Sequence, residues 1–90
     1  MNIKIDKHLD TPTITAALFD LDGTLLDREE QIPIEIIERI KYISKYIPTT
    51  IASGRIFSSV KYYSSILNLS SPQISDNGAI IFDPKKDDKI

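Results

Sequence analysis

An apolar run that ends in two carboxylates and a glycine constrains this chain more than any other feature. Ile14-Thr-Ala-Ala-Leu-Phe19 is followed directly by Asp20-Leu21-Asp22-Gly23. Six nearly continuous apolar residues are short for a helix and suit a parallel strand buried on both faces. The polar stretch Asp20 to Gln31 then reads as a loop. In an open parallel sheet, ligands bind beyond the carboxyl ends of the strands, so Asp20 and Asp22 stand where a site belongs. Strand alternation puts both carboxylates on one side of an extended chain. Gly23 allows a sharp turn, and the backbone N–H groups around Leu21 and Gly23 become available to a phosphate.

The rest of the sequence supplies the partners such a strand needs. Pro33 suits the first turn of a helix, and Glu35 complements its positive end. Ile36, Ile40, Ile43 and Ile47, with Ile37 beside them, form one apolar stripe at helical spacing. That helix must stop before Pro48. Thr49-Thr-Ile-Ala52 is short and β-branched and reads as a second strand. Ser53-Gly54-Arg55 turns the chain into a second helix with Ile56, Val60, Tyr63 and Leu67 on one face and Phe57 flanking. Gln73-Ile-Ser75 and Ala79-Ile-Ile-Phe82 are strands around the tight turn Asp76-Asn77-Gly78, and Lys85 to Lys89 read as a charged, solvated tail. Alternating strands and helices of this size imply parallel βαβ units with right-handed crossovers. The fold expected is therefore α/β, a partial Rossmann-like parallel sheet with flanking helices and a C-terminal hairpin. Ser53 then shares a sheet edge with Asp20. Ser53, Gly54 and the free N–H groups opening the next helix make a phosphate seat, although a helix-capping serine explains Ser53 about as well.

Composition excludes several alternatives. Among 90 residues there is no cysteine, which rules out a disulfide framework, a thiolate nucleophile and a Cys-ligated zinc site. The net charge of −2 argues against a nucleic-acid partner. No apolar run approaches the roughly 20 residues of a membrane span, and Met1 to Asp10 lacks the core of a signal peptide, so a cytoplasmic location is the default expectation. The single histidine, His8, reads as a surface residue. Tyr42, Tyr46, Tyr62 and Tyr63 read as packing rather than as a base-stacking platform.

Asp20, Asp22, Gly23 and Thr24 after an apolar strand, and Ser53 after a second strand, resemble the two leading motifs of the haloacid dehalogenase-like hydrolase superfamily. Asp22 to Leu26, Ser53-Gly54-Arg55 and Asn77-Gly78-Ala79 are similar to the corresponding motifs of its Cof-type phosphatases. Serine stands where threonine is commoner, and Tyr46-Ile47-Pro48 lacks a glycine often found before the second strand. The resemblance covers Ile14 to Pro84. It implies Asp20 as a nucleophile that also binds Mg²⁺, and Asp22 as general acid and base with its carbonyl as a second metal ligand. It further implies Ser53 as a phosphate ligand, with substrate or cap contacts from Arg55 and Asn77. For Arg55, pairing with a surface carboxylate is the competing reading. The implied function is hydrolysis of small phosphorylated metabolites, sugar phosphates among them. A phosphomutase and a non-catalytic module binding phosphate or a partner are the alternatives.

The same resemblance sets expectations about what else such an enzyme requires. It divides the chain into an N-terminal lead over 1–12, with a strand at Asn2 to Asp6, a core portion over 13–84, and a tail over 85–90 where a cap insertion would begin. A charge-offsetting lysine, a late acidic metal loop and the cap match nothing in the sequence, so the 90-residue chain alone is expected to be inactive. The edge of the first strand should be covered by Asn2 to Asp6, by self-association with a second copy, or by a further C-terminal part of the enzyme.

Overall fold

The computed structural model describes residues 16–86 together with 88 and 89, the last two as backbone only. The expected lead strand at Asn2 to Asp6 and residue His8 lie outside the described residues. The elements run β1 (Ala17–Phe19), α1 (Ile34–Ser44), β2 (Thr49–Ile51), α2 (Phe57–Ile66), β3 (Gln73–Ser75), β4 (Ile80–Asp83) and β5 (Asp88–Lys89). This is the mixed α/β order read from the sequence. β1 and β2 are parallel, with Ala17 opposite Thr49 and Phe19 opposite Ile51. β3, β4 and β5 form an antiparallel meander.

The two sheets meet at a narrow seam. One parallel bridge joins Ala52 to Ile74. Beside it, the side chain of Gln73 replaces backbone pairing. Its Oε1 accepts from Ile51 N–H at 2.5 Å, and its Nε2 donates to the carbonyls of Thr49 at 3.0 Å and Ser71 at 2.8 Å. Gln73 is fully buried, so its amide is a structural strut between β2 and β3.

The core gathers Phe19, Leu21 and Leu25 with Ile40 of α1, Ile51 of β2, Val60 and Tyr63 of α2, and Phe82 of β4. Phe57 and Phe82 meet edge to face with centroids 4.7 Å apart. Their burial supplies the hydrophobic term that holds α2 against the hairpin.

Four expectations need correction. β1 is not covered on both faces: Leu18 is 66% exposed, while Phe19 next to it is buried. Strand alternation sends them to opposite faces, and among the described residues only β2 pairs with β1. Ile56 is not on the packed face of α2. It precedes the helix and is 64% exposed, and Phe57 packs in its place. Pro33 stands just outside α1 as its cap, with extended ψ, rather than within the first turn. Finally, the charged tail is not only a solvated turn. Pro84 to Lys86 do turn, but Asp88 and Lys89 return along β4 as β5, a pairing that needs backbone groups and no apolar pattern.

Candidate active site

Parallel pairing brings the ends of β1 and β2 together. Ala52 N–H donates to Phe19 carbonyl at 2.9 Å, which places Asp20 and Ser53 one residue beyond the ladder. They line one open cleft of about 370 Å³ together with Ala52, Gly54, Ile74, Asn77 and Gly78. Asp20 is exposed there, and one of its carboxylate oxygens accepts from the N–H of Leu21 at 2.8 Å. Leu21 is wholly buried with its N–H taken by Asp20, and neither Leu21 nor Gly23 lines the cleft in this structure. Leu21 to Leu25 form one wide turn, closed by Leu26 N–H on Leu21 carbonyl at 3.0 Å. Gly23 holds φ +77° within it, a conformation that side chains rarely adopt, while the space around it is open.

Ser53 is buried and ties three elements together. Its N–H donates to Ile74 carbonyl at 3.1 Å, its carbonyl accepts from Asn77 N–H at 3.2 Å, and its Oγ accepts from Arg55 N–H at 3.0 Å. That last bond closes a serine turn four residues before α2, so Ser53 is not the cap of the helix. Arg55 carbonyl accepts from Asp76 N–H at 2.8 Å, which clips the β3–β4 turn onto the same loop. Asp76 and Asn77 both sit in the left-handed region, at φ 52° and 54°. Strain of this kind persists where the surroundings enforce it, and it gathers at functional sites. The turn presses the Asn77 amide over Gly54: a Cβ there would lie 2.7 Å from Asn77 Oδ1. A side chain at Gly54 would displace the Asn77 amide, whereas Gly23 is required for conformation.

In this structure Arg55 pairs with a carboxylate, and that carboxylate is Asp22. Nε donates to Oδ2 at 2.9 Å and Nη2 to Oδ1 at 2.8 Å, a bidentate pair. Nη2 also donates to Glu30 Oε1 at 3.0 Å. Neither Asp22 nor Arg55 lines the cleft. The hydrogen bond from Arg55 holds the Asp22 carboxyl below its ordinary range, and Asp22 with Glu30 holds the guanidinium more firmly charged. In an NMR titration of the carboxyl carbons, Arg55→Ala should return the Asp22 midpoint upward to the ordinary aspartate range. An unchanged midpoint would refute the pairing.

Sequence reasoning missed Glu30 and the amide strut of Gln73. Nothing in the pattern Asp27 to Gln31 marks Glu30 as a partner of a residue 25 positions away. Tyr63 was correctly read as packing, yet its phenol also donates to Glu30 carbonyl at 2.7 Å.

The donors at the cleft suit a hard cation in kind, since they are oxygens. They are few: the Asp22 carboxylate is taken by Arg55, and among the described residues no cluster of three His, Cys, Asp or Glu could hold an ion. No basic side chain among the described residues lines the cleft.

Residues 17–90 match a family model described as haloacid dehalogenase-like hydrolase. A glucosyl-3-phosphoglycerate/mannosyl-3-phosphoglycerate phosphatase of Persephonella marina is 39% identical over 69 residues, 73% of this chain and 25% of that protein. A phosphoglycolate phosphatase of Thermoplasma acidophilum is 34% identical over 71 residues, 78% of this chain and 32% of that protein. A crystal structure from Thermotoga maritima superposes with a TM-score of 0.73 at 31% identity, covering 84% of this chain and 28% of that one. The chain thus spans about a quarter to a third of the length of these relatives.

Proposed function

The chain belongs to the haloacid dehalogenase-like hydrolases, and we propose on that premise that it carries the nucleophile-bearing part of a phosphohydrolase for small phosphorylated metabolites. One observation carries the reading. Asp20 and Ser53, 33 residues apart in sequence, line the same open cleft at the carboxyl ends of β1 and β2. A nucleophile and a phosphate ligand need that arrangement.

In this reading an Asp20 oxygen attacks phosphorus in line, and the bond from phosphorus to the leaving oxygen breaks. Asp22, released from Arg55 and protonated from solvent, delivers that proton to the leaving oxygen. A water then attacks the aspartyl-phosphate while Asp22 takes its proton, which frees the Asp20 carboxylate and inorganic phosphate. Ser53 and the N–H of Gly54 hold phosphate oxygens, the N–H of Gly23 contributes, that of Leu21 joins only once the Asp20 carboxylate that holds it in this structure gives it up, and Asn77 faces the substrate from the strained turn. Mg²⁺, held by the Asp20 carboxylate and the Asp22 carbonyl, supplies charge neutralisation when bound. That term matters because Asp20 and a phosphate dianion repel each other in a cleft without a basic lining group. The names of the relatives, which include a phosphoglycolate phosphatase and a phosphatase of sugar-substituted phosphoglycerates, favour small phosphorylated acids and sugars as the substrate class.

The test is phosphate release with and without Mg²⁺ from p-nitrophenyl phosphate and a panel of sugar phosphates. It should use the longest natural reading frame containing these residues. Metal-dependent turnover that falls about 10²-fold or more in Asp22→Asn is the expected result. Turnover indifferent to that substitution would remove Asp22 from the mechanism.

A further inference from the structure

Arg55 is gripped from several sides, and its contacts are not equivalent. Asp22 takes both Nε and Nη2, Glu30 takes Nη2, and Ser59 Oγ accepts from Nη1 at 3.4 Å. The Tyr63 ring lies 5.7 Å from the guanidinium carbon. The side chains of Asp22 and Glu30 are both exposed, 62% and 67%, and the Asp22 carboxylate accepts from Arg55 Nε and Nη2. The backbone of Glu30 is built into place. It holds φ 60°. Its N–H donates to Asp27 carbonyl at 3.1 Å, and the Asp27 carboxylate accepts from the N–H groups on either side of it, Glu29 at 2.9 Å and Gln31 at 3.0 Å. Tyr63 fixes its carbonyl. A designed turn thus aims one carboxylate at a guanidinium that another carboxylate already occupies.

The arrangement has a use if Asp22 works in the cleft. Asp22 does not line that cleft in this structure, so it must let go of Arg55 to serve as acid and base there. A guanidinium left behind without a partner would oppose that release. We propose that Glu30 is a positioning residue for Asp22. It keeps Arg55 in place and paired when Asp22 departs, so that the proton-transferring carboxylate can exchange between the guanidinium and the cleft. This rests on the phosphohydrolase reading given above.

Because Glu30 acts only through Arg55, its effect must vanish with Arg55. In the natural enzyme, Glu30→Gln should lower kcat for p-nitrophenyl phosphate about threefold, the scale of one exposed charge pair, with KM unchanged. In an Arg55→Ala background the same substitution should change kcat by less than about 1.5-fold. An equal loss in both backgrounds, or no loss in either, overturns the proposal. A second measurement separates this failure from failure of the phosphohydrolase reading. In the ¹⁵N-arginine-labelled 90-residue chain, Glu30→Gln should slow solvent exchange of the Arg55 Nε–H about threefold, because Asp22 then holds the guanidinium alone. Unchanged exchange overturns the proposal whether or not phosphate is released. Slowed exchange beside a wild-type enzyme that releases no phosphate leaves the pairing standing and sinks the assigned reaction.

Discussion

Asp20→Asn should lower phosphate release on the order of 10⁴-fold or more, the scale seen when a covalent nucleophile is removed. The substitution is nearly isosteric. The asparagine carbonyl oxygen can still accept from Leu21 N–H, as the Asp20 carboxylate does. Asp20 is exposed at the end of β1 and carries no core packing, so the melting temperature of the variant stays within about 2 °C of the parent. What disappears is an oxygen able to attack phosphorus. A phosphate-release assay with the natural enzyme reads this directly, and a variant retaining a tenth of parental turnover would show that Asp20 is not the nucleophile.

The second large effect concerns stability, and it falls on a residue with no part in the chemistry. Gln73→Leu keeps the volume roughly constant but leaves Ile51 N–H and Thr49 carbonyl without partners, in a place where both residues are buried. An unsatisfied buried group costs about 1–3 kcal/mol, so the pair costs about 2–5 kcal/mol. A domain of this size has only about 5–13 kcal/mol in total. Urea denaturation followed by circular dichroism should show the midpoint falling by about a sixth or more with the slope little changed. A loss under about 0.5 kcal/mol would mean that water or backbone movement replaces the amide at the seam.

The order of elements and the position of the cleft were legible because they follow from short-range patterns. The isoleucine spacing of α1 and the β-branched run of β2 set local structure, and Asp20 and Ser53 each fall just past an apolar strand. Parallel pairing then brings them together without further information. What escaped the sequence depends on tertiary partners. Gln73 looks like an ordinary strand residue until the gap between β2 and β3 is known. Glu30 and Asp22 meet Arg55 across 25 and 33 residues, and no local period reports such a contact. Leu18 fits an apolar run whose pattern cannot say what covers it. Ile56 and Phe57 are adjacent apolar residues, and a one-residue shift in where α2 begins decides which of them packs.

The turn over the cleft also carries an Asn-Gly bond that is expected to age. Asparagine is a thermolabile residue, and Asn77 is exposed and followed by Gly78, which offers little steric hindrance to attack of its backbone nitrogen on the carboxamide. Hydrolysis of the ring that forms would exchange the amide for a carboxylate. The lesion would lie on the wall shared with Asp20 and Ser53. On the proposed phosphate seat, ageing at that one bond would add a negative charge to the cleft wall, and loss of phosphate affinity on storage should track deamidation at Asn77 by peptide mass.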